Sequence, residues 1–164
     1  MKPVAQSKNH SDAKTATEHF EVLHLNDDFV ALSKAPGISV HNEEEQPNLL
    51  QLVRQQLKRT DVFPVHRLDK ETSGVQILAF HQRAAKELAQ KFESREVSKI
   101  YVGVLRGQLE PDQGTWRKSL SDKSEGRRNP AGKSSDQVPC ETQFRILKRS
   151  NYFTLAEFSL ITGR

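Results

Sequence analysis

At 164 residues and 18.6 kDa the chain is long enough for one domain with a sizeable core. A hydrophobic content of 35% and a mean hydropathy of -0.70 are low for a fully packed chain and point to a tail and a solvated loop outside that core. The single cysteine, Cys140, excludes an internal disulfide and a cysteine-built metal cluster, and no stretch approaches the roughly 18 apolar residues of a membrane span.

The net charge is +4 and the pI near 9.3, which suits a polyanionic partner. The excess sits in one place. Arg117, Lys118, Lys123, Arg127, Arg128 and Lys133 face only Asp122 and Glu125 within the same stretch, so the rest of the chain is neutral on balance. The first residues carry no apolar leader-like run, and a cytoplasmic location is expected by default.

Residues 1–18 are polar without a period and read as a mobile tail. From Phe20 the apolar runs 20–25 and 29–32, split by Asn26-Asp27-Asp28, predict two strands joined as a hairpin. Leu49, Val53 and Leu57 recur at helical spacing and predict an amphipathic helix over 48–58. The run 75–80 predicts a strand buried on both faces, and Ala85, Leu88, Ala89 and Phe92 a second helix. In the next strand, Ile100, Val102 and Val104 share one face, which puts Tyr101 on the other. The stretch 118–139 reads as a basic loop, followed by strands near 141–147 and 152–161. Strands with two inserted helices make the fold class α+β, a mainly antiparallel or mixed sheet with helices packed on it, in one domain over 19–164 with a basic loop at 117–139.

The densest chemistry lies in Val65-His66-Arg67-Leu68-Asp69-Lys70-Glu71-Thr72-Ser73-Gly74, a polar segment leading into a buried strand. Loops held by a rigid scaffold are where exposed reactive side chains are commonly built. On residue chemistry alone two readings stand. The segment can be a capped turn in which Asp69 or Thr72 accepts backbone N–H groups and Arg67 pairs with a carboxylate. A hydrolase built on His66 with Asp69 or Ser73 is the second, and Ser73 has no G-x-S-x-G elbow to support it.

The segment resembles the H-R-L-D-x-x-T-S-G signature of RluA-type RNA pseudouridine synthases at every fixed position. The surroundings are similar in the same order: Ser33-Lys34-Ala35-Pro36-Gly37 with Val40-His41, Lys99-Ile100-Tyr101 with Gly107, Thr142-Gln143-Phe144, and Ser159 to Arg164. The resemblance covers about residues 20 to 164. It implies an isomerase that turns uridine into pseudouridine in ribosomal or transfer RNA without a cofactor or a metal. Asp69 would be the catalytic carboxylate, Tyr101 the aromatic against the target uracil, and Arg67 the filler of the gap left by a flipped nucleotide. His66, Thr72, Ser73, Lys99 and Arg164 would contact substrate or hold the loop. RNA is the implied partner, with no membrane. The family string runs on into H-Q-I-R, whose arginine is expected beside the aspartate. The chain stops at Arg164, so the expected catalytic domain is incomplete at its C-terminus, with a remnant that only binds RNA as the alternative.

Overall fold

The computed structural model describes residues 18–42, 44, 47–121 and 137–162. The expected tail up to residue 17, the basic residues Lys123, Arg127, Arg128 and Lys133, and Gly163-Arg164 lie outside the described residues. The fold is α+β, with every described strand pair antiparallel. The chain divides between Glu93 and Ser94 into two compact units.

In the first unit the predicted hairpin forms from β1 (Phe20–Leu25) and β2 (Phe29–Lys34). The turn is set by Asn26, whose side-chain oxygen accepts from the backbone N–H of Asp28 at 2.9 Å and Phe29 at 2.8 Å. Helix α1 (Leu49–Leu57) starts in a capping box, in which Asn48 and Gln51 each accept the other's backbone N–H. Its Leu49 and Val53 are fully buried against Val30 and Leu32 of β2 and Leu78 of β4 (Gly74–Ala79). Helix α2 (Gln82–Glu93) is capped by His81, whose Nδ1 accepts from Ala84 N at 3.1 Å while Nε2 meets Asp28 of the β1–β2 turn at 2.9 Å.

The sheet runs β1-β2-β4-β3, with β3 a two-residue edge strand, Phe63–Pro64. The expectation that β4 is buried on both faces holds at its end and fails at its start: Leu78 and Ala79, on opposite faces, are wholly buried, whereas Val75 is 55% exposed. Gln76, on the Leu78 face, is wholly buried as well, so the polar residue lies inside and the apolar Val75 outside.

The second unit is a sheet ordered β5-β8-β7-β6, from β5 (Ile100–Arg106), β6 (Gln113–Ser121), β7 (Gln137–Arg149) and β8 (Phe153–Leu160). Strand β6 has no counterpart in the sequence pattern. Its residues are mostly polar and exposed, Trp116 and Leu120 being the apolar exceptions, and it forms because β7 offers it a continuous ladder from Arg145 to Gln137. Pairing therefore reaches into both ends of the expected basic loop, through Ser121 on one side and from Gln137 on the other. Trp116 stacks on Phe144 with ring centroids 4.6 Å apart, and a Cβ at Gly114 would come within 2.8 Å of that same ring, so only glycine fits beneath it. The alternation along β5 is as expected, with Tyr101 half-buried opposite the apolar row. That row faces outward: Ile100, Val102 and Val104 are 59%, 62% and 66% exposed.

Gly74 opens β4 at φ +132°, a region closed to L side chains, with open space where a Cβ would stand. Gly74→Ala should therefore cost about 1–3 kcal/mol through backbone strain alone, read as a lowered urea midpoint with an unchanged slope; an unchanged midpoint would show that the turn can relax.

Candidate active site

Strand β3 ends at Pro64, which has no N–H to continue the ladder, and the chain leaves β4 there. Its register pairs Phe63 with Ala79 and Pro64 with Leu78; continued two residues further, it would set His66 opposite Gln76. Side chains take over where the backbone ladder lapses. The Gln76 carboxamide accepts from Leu68 N at 3.2 Å and donates to the carbonyls of His66 at 2.8 Å and Ile77 at 3.1 Å. In return His66 Nε2 accepts from Ile77 N at 2.9 Å, which fixes the ring in the tautomer with its proton on Nδ1. The same imidazole stacks on Phe92 of α2 at 4.6 Å.

One residue further, Leu68 is buried and Asp69 is exposed. A tight turn follows, in which Thr72 N donates to Asp69 O at 3.0 Å. The next residue, Lys70, is tied from below. Its carbonyl accepts from Gly37 N at 2.8 Å and from Lys34 Nζ at 3.1 Å, and the same ammonium donates to Ala35 O and Ile38 O, both at 2.9 Å. Lys34 is 1% exposed. Burial pushes its ammonium below the ordinary lysine value, against the opposing pull of Glu71 and then Asp69. A buried cation thus lies within electrostatic reach of the two carboxylates that flank the turn.

These contacts bring five of the residues singled out in the sequence onto one short segment: His66, Arg67, Asp69, Thr72 and Ser73. Arg67, Asp69 and Ser73 are exposed, Thr72 is half-buried, and His66 is occupied by a backbone amide and a phenyl ring in the loop-orienting role. Tyr101 and Lys99 belong to the second unit, both half-buried, with Lys99 O accepting from Leu160 N at 3.0 Å. Arg164 lies outside the described residues; the string that leads to it is anchored by Thr162, whose hydroxyl accepts from Glu141 N at 2.8 Å. One contributor escaped the sequence reading, the tether Gln76, visible there only as a polar residue within an apolar run. Lys34 entered through the family resemblance, without a role assigned to it.

The second unit also holds an open cavity of about 540 Å³ lined by Arg95, Arg117, Lys118, Cys140, Glu141 and Thr162. Arg117 is held there by two hydrogen bonds to Glu141, at 2.9 and 3.3 Å, so the surplus positive charge rests with Arg95 and Lys118.

A sequence profile of the RNA pseudouridylate synthase family matches residues 28–164. The chain belongs to this family. A Haemophilus influenzae protein called an uncharacterized RNA pseudouridine synthase is 34% identical over 133 residues, covering 77% of this chain and 59% of that one. The dual-specificity RNA pseudouridine synthase RluA of Pasteurella multocida is 32% identical over 148 residues, covering 89% and 68%. The fold agrees with that of human RNA pseudouridylate synthase domain containing 4, with a TM-score of 0.72 and 25% identity over 87% of this chain and 59% of that chain. The chain thus spans less than two thirds of the Haemophilus influenzae relative and of the human structure.

Lys34→Met should loosen the turn, because three carbonyls lose their shared donor; the expected destabilisation is about 1–3 kcal/mol. Because the native ammonium sits below the ordinary lysine value of 10.5, the unfolded chain binds more protons between the two values and stability contributed by this group rises with pH there. Urea titrations across the alkaline range should show the wild type gaining on Lys34→Met, and a pH-independent gap would contradict the assignment.

Proposed function

We propose that this chain carries the catalytic carboxylate of an RNA uridine isomerase, with Asp69 as the group that acts on the target nucleotide in ribosomal or transfer RNA. The observation that carries the reading is the presentation of Asp69: an exposed carboxylate on a turn whose flanking backbone is held at His66, Leu68 and Lys70 by buried side chains. A solvated surface aspartate needs no such support. The family membership supplies the reaction class, and the reaction supplies the demand for a carboxylate.

Forming pseudouridine breaks the bond between N1 of uracil and C1′ of ribose, turns the base, and joins C5 to C1′, with the C5 proton lost and N1 left protonated. An ionised carboxylate serves this by adding to C1′ or by taking the C2′ proton. Either route needs the target base out of its stack, since a paired uridine cannot bring its sugar to a side chain on a protein turn. Exposed Arg67, two residues before Asp69, is suited to fill the vacated space. Tyr101, in the second unit, is the aromatic proposed to lie against the uracil, with Lys99 beside it in sequence. Thr72 and Ser73 are proposed to hold the turn when RNA is bound, and His66 to orient it. Arg95 and Lys118 in the open cavity of the second unit suit RNA phosphates, whose contacts carry affinity without sequence information. No step requires a metal or an organic cofactor, and the cytoplasm, where such RNAs are abundant, is the proposed location.

Asp69→Asn should abolish pseudouridine formation in transfer and ribosomal RNA, by at least about 10³-fold, while RNA affinity is kept or slightly raised by loss of a negative charge. Mapping pseudouridine in treated RNA, together with a filter-binding titration, reads both. Equal modification by both forms would remove Asp69 from the mechanism, and binding without modification by either would make the chain an RNA-binding remnant.

A further inference from the structure

We propose that Gln76 is a positioning residue for Asp69: its buried carboxamide grips the backbone on both sides of Arg67 and so fixes where the carboxylate stands. The proposal rests on the reading of Asp69 as the reacting group.

The argument begins with backbone accounting. A buried peptide group that loses its ladder partner costs free energy unless another group replaces it. Beyond Pro64 the carbonyl of His66 and the N–H of Leu68 have left the β3–β4 ladder, yet Leu68 is buried. Gln76 answers both, with Oε1 as acceptor and Nε2 as donor, and spends its second amide hydrogen on Ile77 O. Among side chains of this length, only a neutral carboxamide offers an acceptor and two donors in one plane. Leucine or methionine would fill the volume and take from each backbone group its Gln76 partner. Glutamate would accept from Leu68 but turn a second negative oxygen toward two carbonyls.

The geometry also says why this is more than a fold contact. Gln76 is 0% exposed, so it touches no RNA. Its two grips fall at positions 66 and 68, which brackets Arg67 and ends one residue before Asp69. A displacement of about 1 Å at a reacting group is enough to cost on the order of 10²-fold in rate. Loss of the Gln76 grip should therefore show in the chemical step and not in RNA binding.

The test compares wild type, Gln76→Met and Gln76→Glu under conditions where each is folded. Single-turnover pseudouridine formation with enzyme in excess should fall at least 10-fold in Gln76→Met, with the Kd for RNA within about twofold of wild type. Gln76→Glu should recover rate as pH is lowered and the carboxylic acid regains a donor, relative to Gln76→Met measured at the same pH. A full wild-type rate in Gln76→Met, or RNA affinity falling in step with rate, would overturn the proposal. Should the wild-type chain make no pseudouridine, the reading of Asp69 fails separately, and the grip is judged by amide exchange. Leu68 N–H should then exchange at least 10-fold faster in Gln76→Met while the amides of β2 keep their protection. Uniform loss of protection, or none, would count against the grip.

Discussion

The backbone of residues 65–70 leaves a sheet with groups of His66, Leu68 and Lys70 still hydrogen-bonded, and the candidate site depends on how that is done. Pro64 ends the edge ladder. From there side chains do what peptide groups did before: Gln76 for His66 and Leu68, His66 for Ile77, Lys34 for Lys70. A chain that simply continued as a strand would alternate in and out with its pleat. A chain that detached freely would be a mobile loop. Side-chain bridging gives a third outcome, a rigid segment lifted off the sheet, with Leu68 turned in and Arg67 and Asp69 turned out.

The same supports explain the distribution of charge around the turn. Lys34 is buried because three carbonyls converge on its ammonium, and those carbonyls converge because the β2 end and the turn at Lys70 meet there. Desolvation opposes that charge, and Glu71 and Asp69 favour it. The buried cation thus depends on two exposed carboxylates. Removing Glu71 or Asp69 changes the electrostatics of Lys34 without altering the hydrophobic core, which lies among β2, β4 and α1.

Much of this was legible in the sequence where a local rule applies. Asn26-Asp27-Asp28 marks its turn, the spacing of Leu49, Val53 and Leu57 marks α1, and the polar segment 66–73 stands out between apolar elements. What was not legible depends on partners distant in sequence. Gln76 sits in an apolar run and looks like a blemish; its meaning appears only when residues 66 and 68 are seen folded against it. Strand β6 has only Trp116 and Leu120 as apolar residues, too few to mark a strand, and it pairs because β7 is long enough to receive it. The period along β5 was correctly read, but period alone does not say which face is covered, and it is the Tyr101 face that is partly covered while the valines stand outside.

That last feature bears on the chain as a material. Strand β5 has one ladder partner among the described residues, β8, and carries three outward β-branched side chains in a row. A sheet edge of this kind is a template onto which a further strand can add, whether from another molecule or from a misfolded copy. Lys or Glu in place of Val102 would put a charge into that outward row, the device by which sheet edges are commonly blunted.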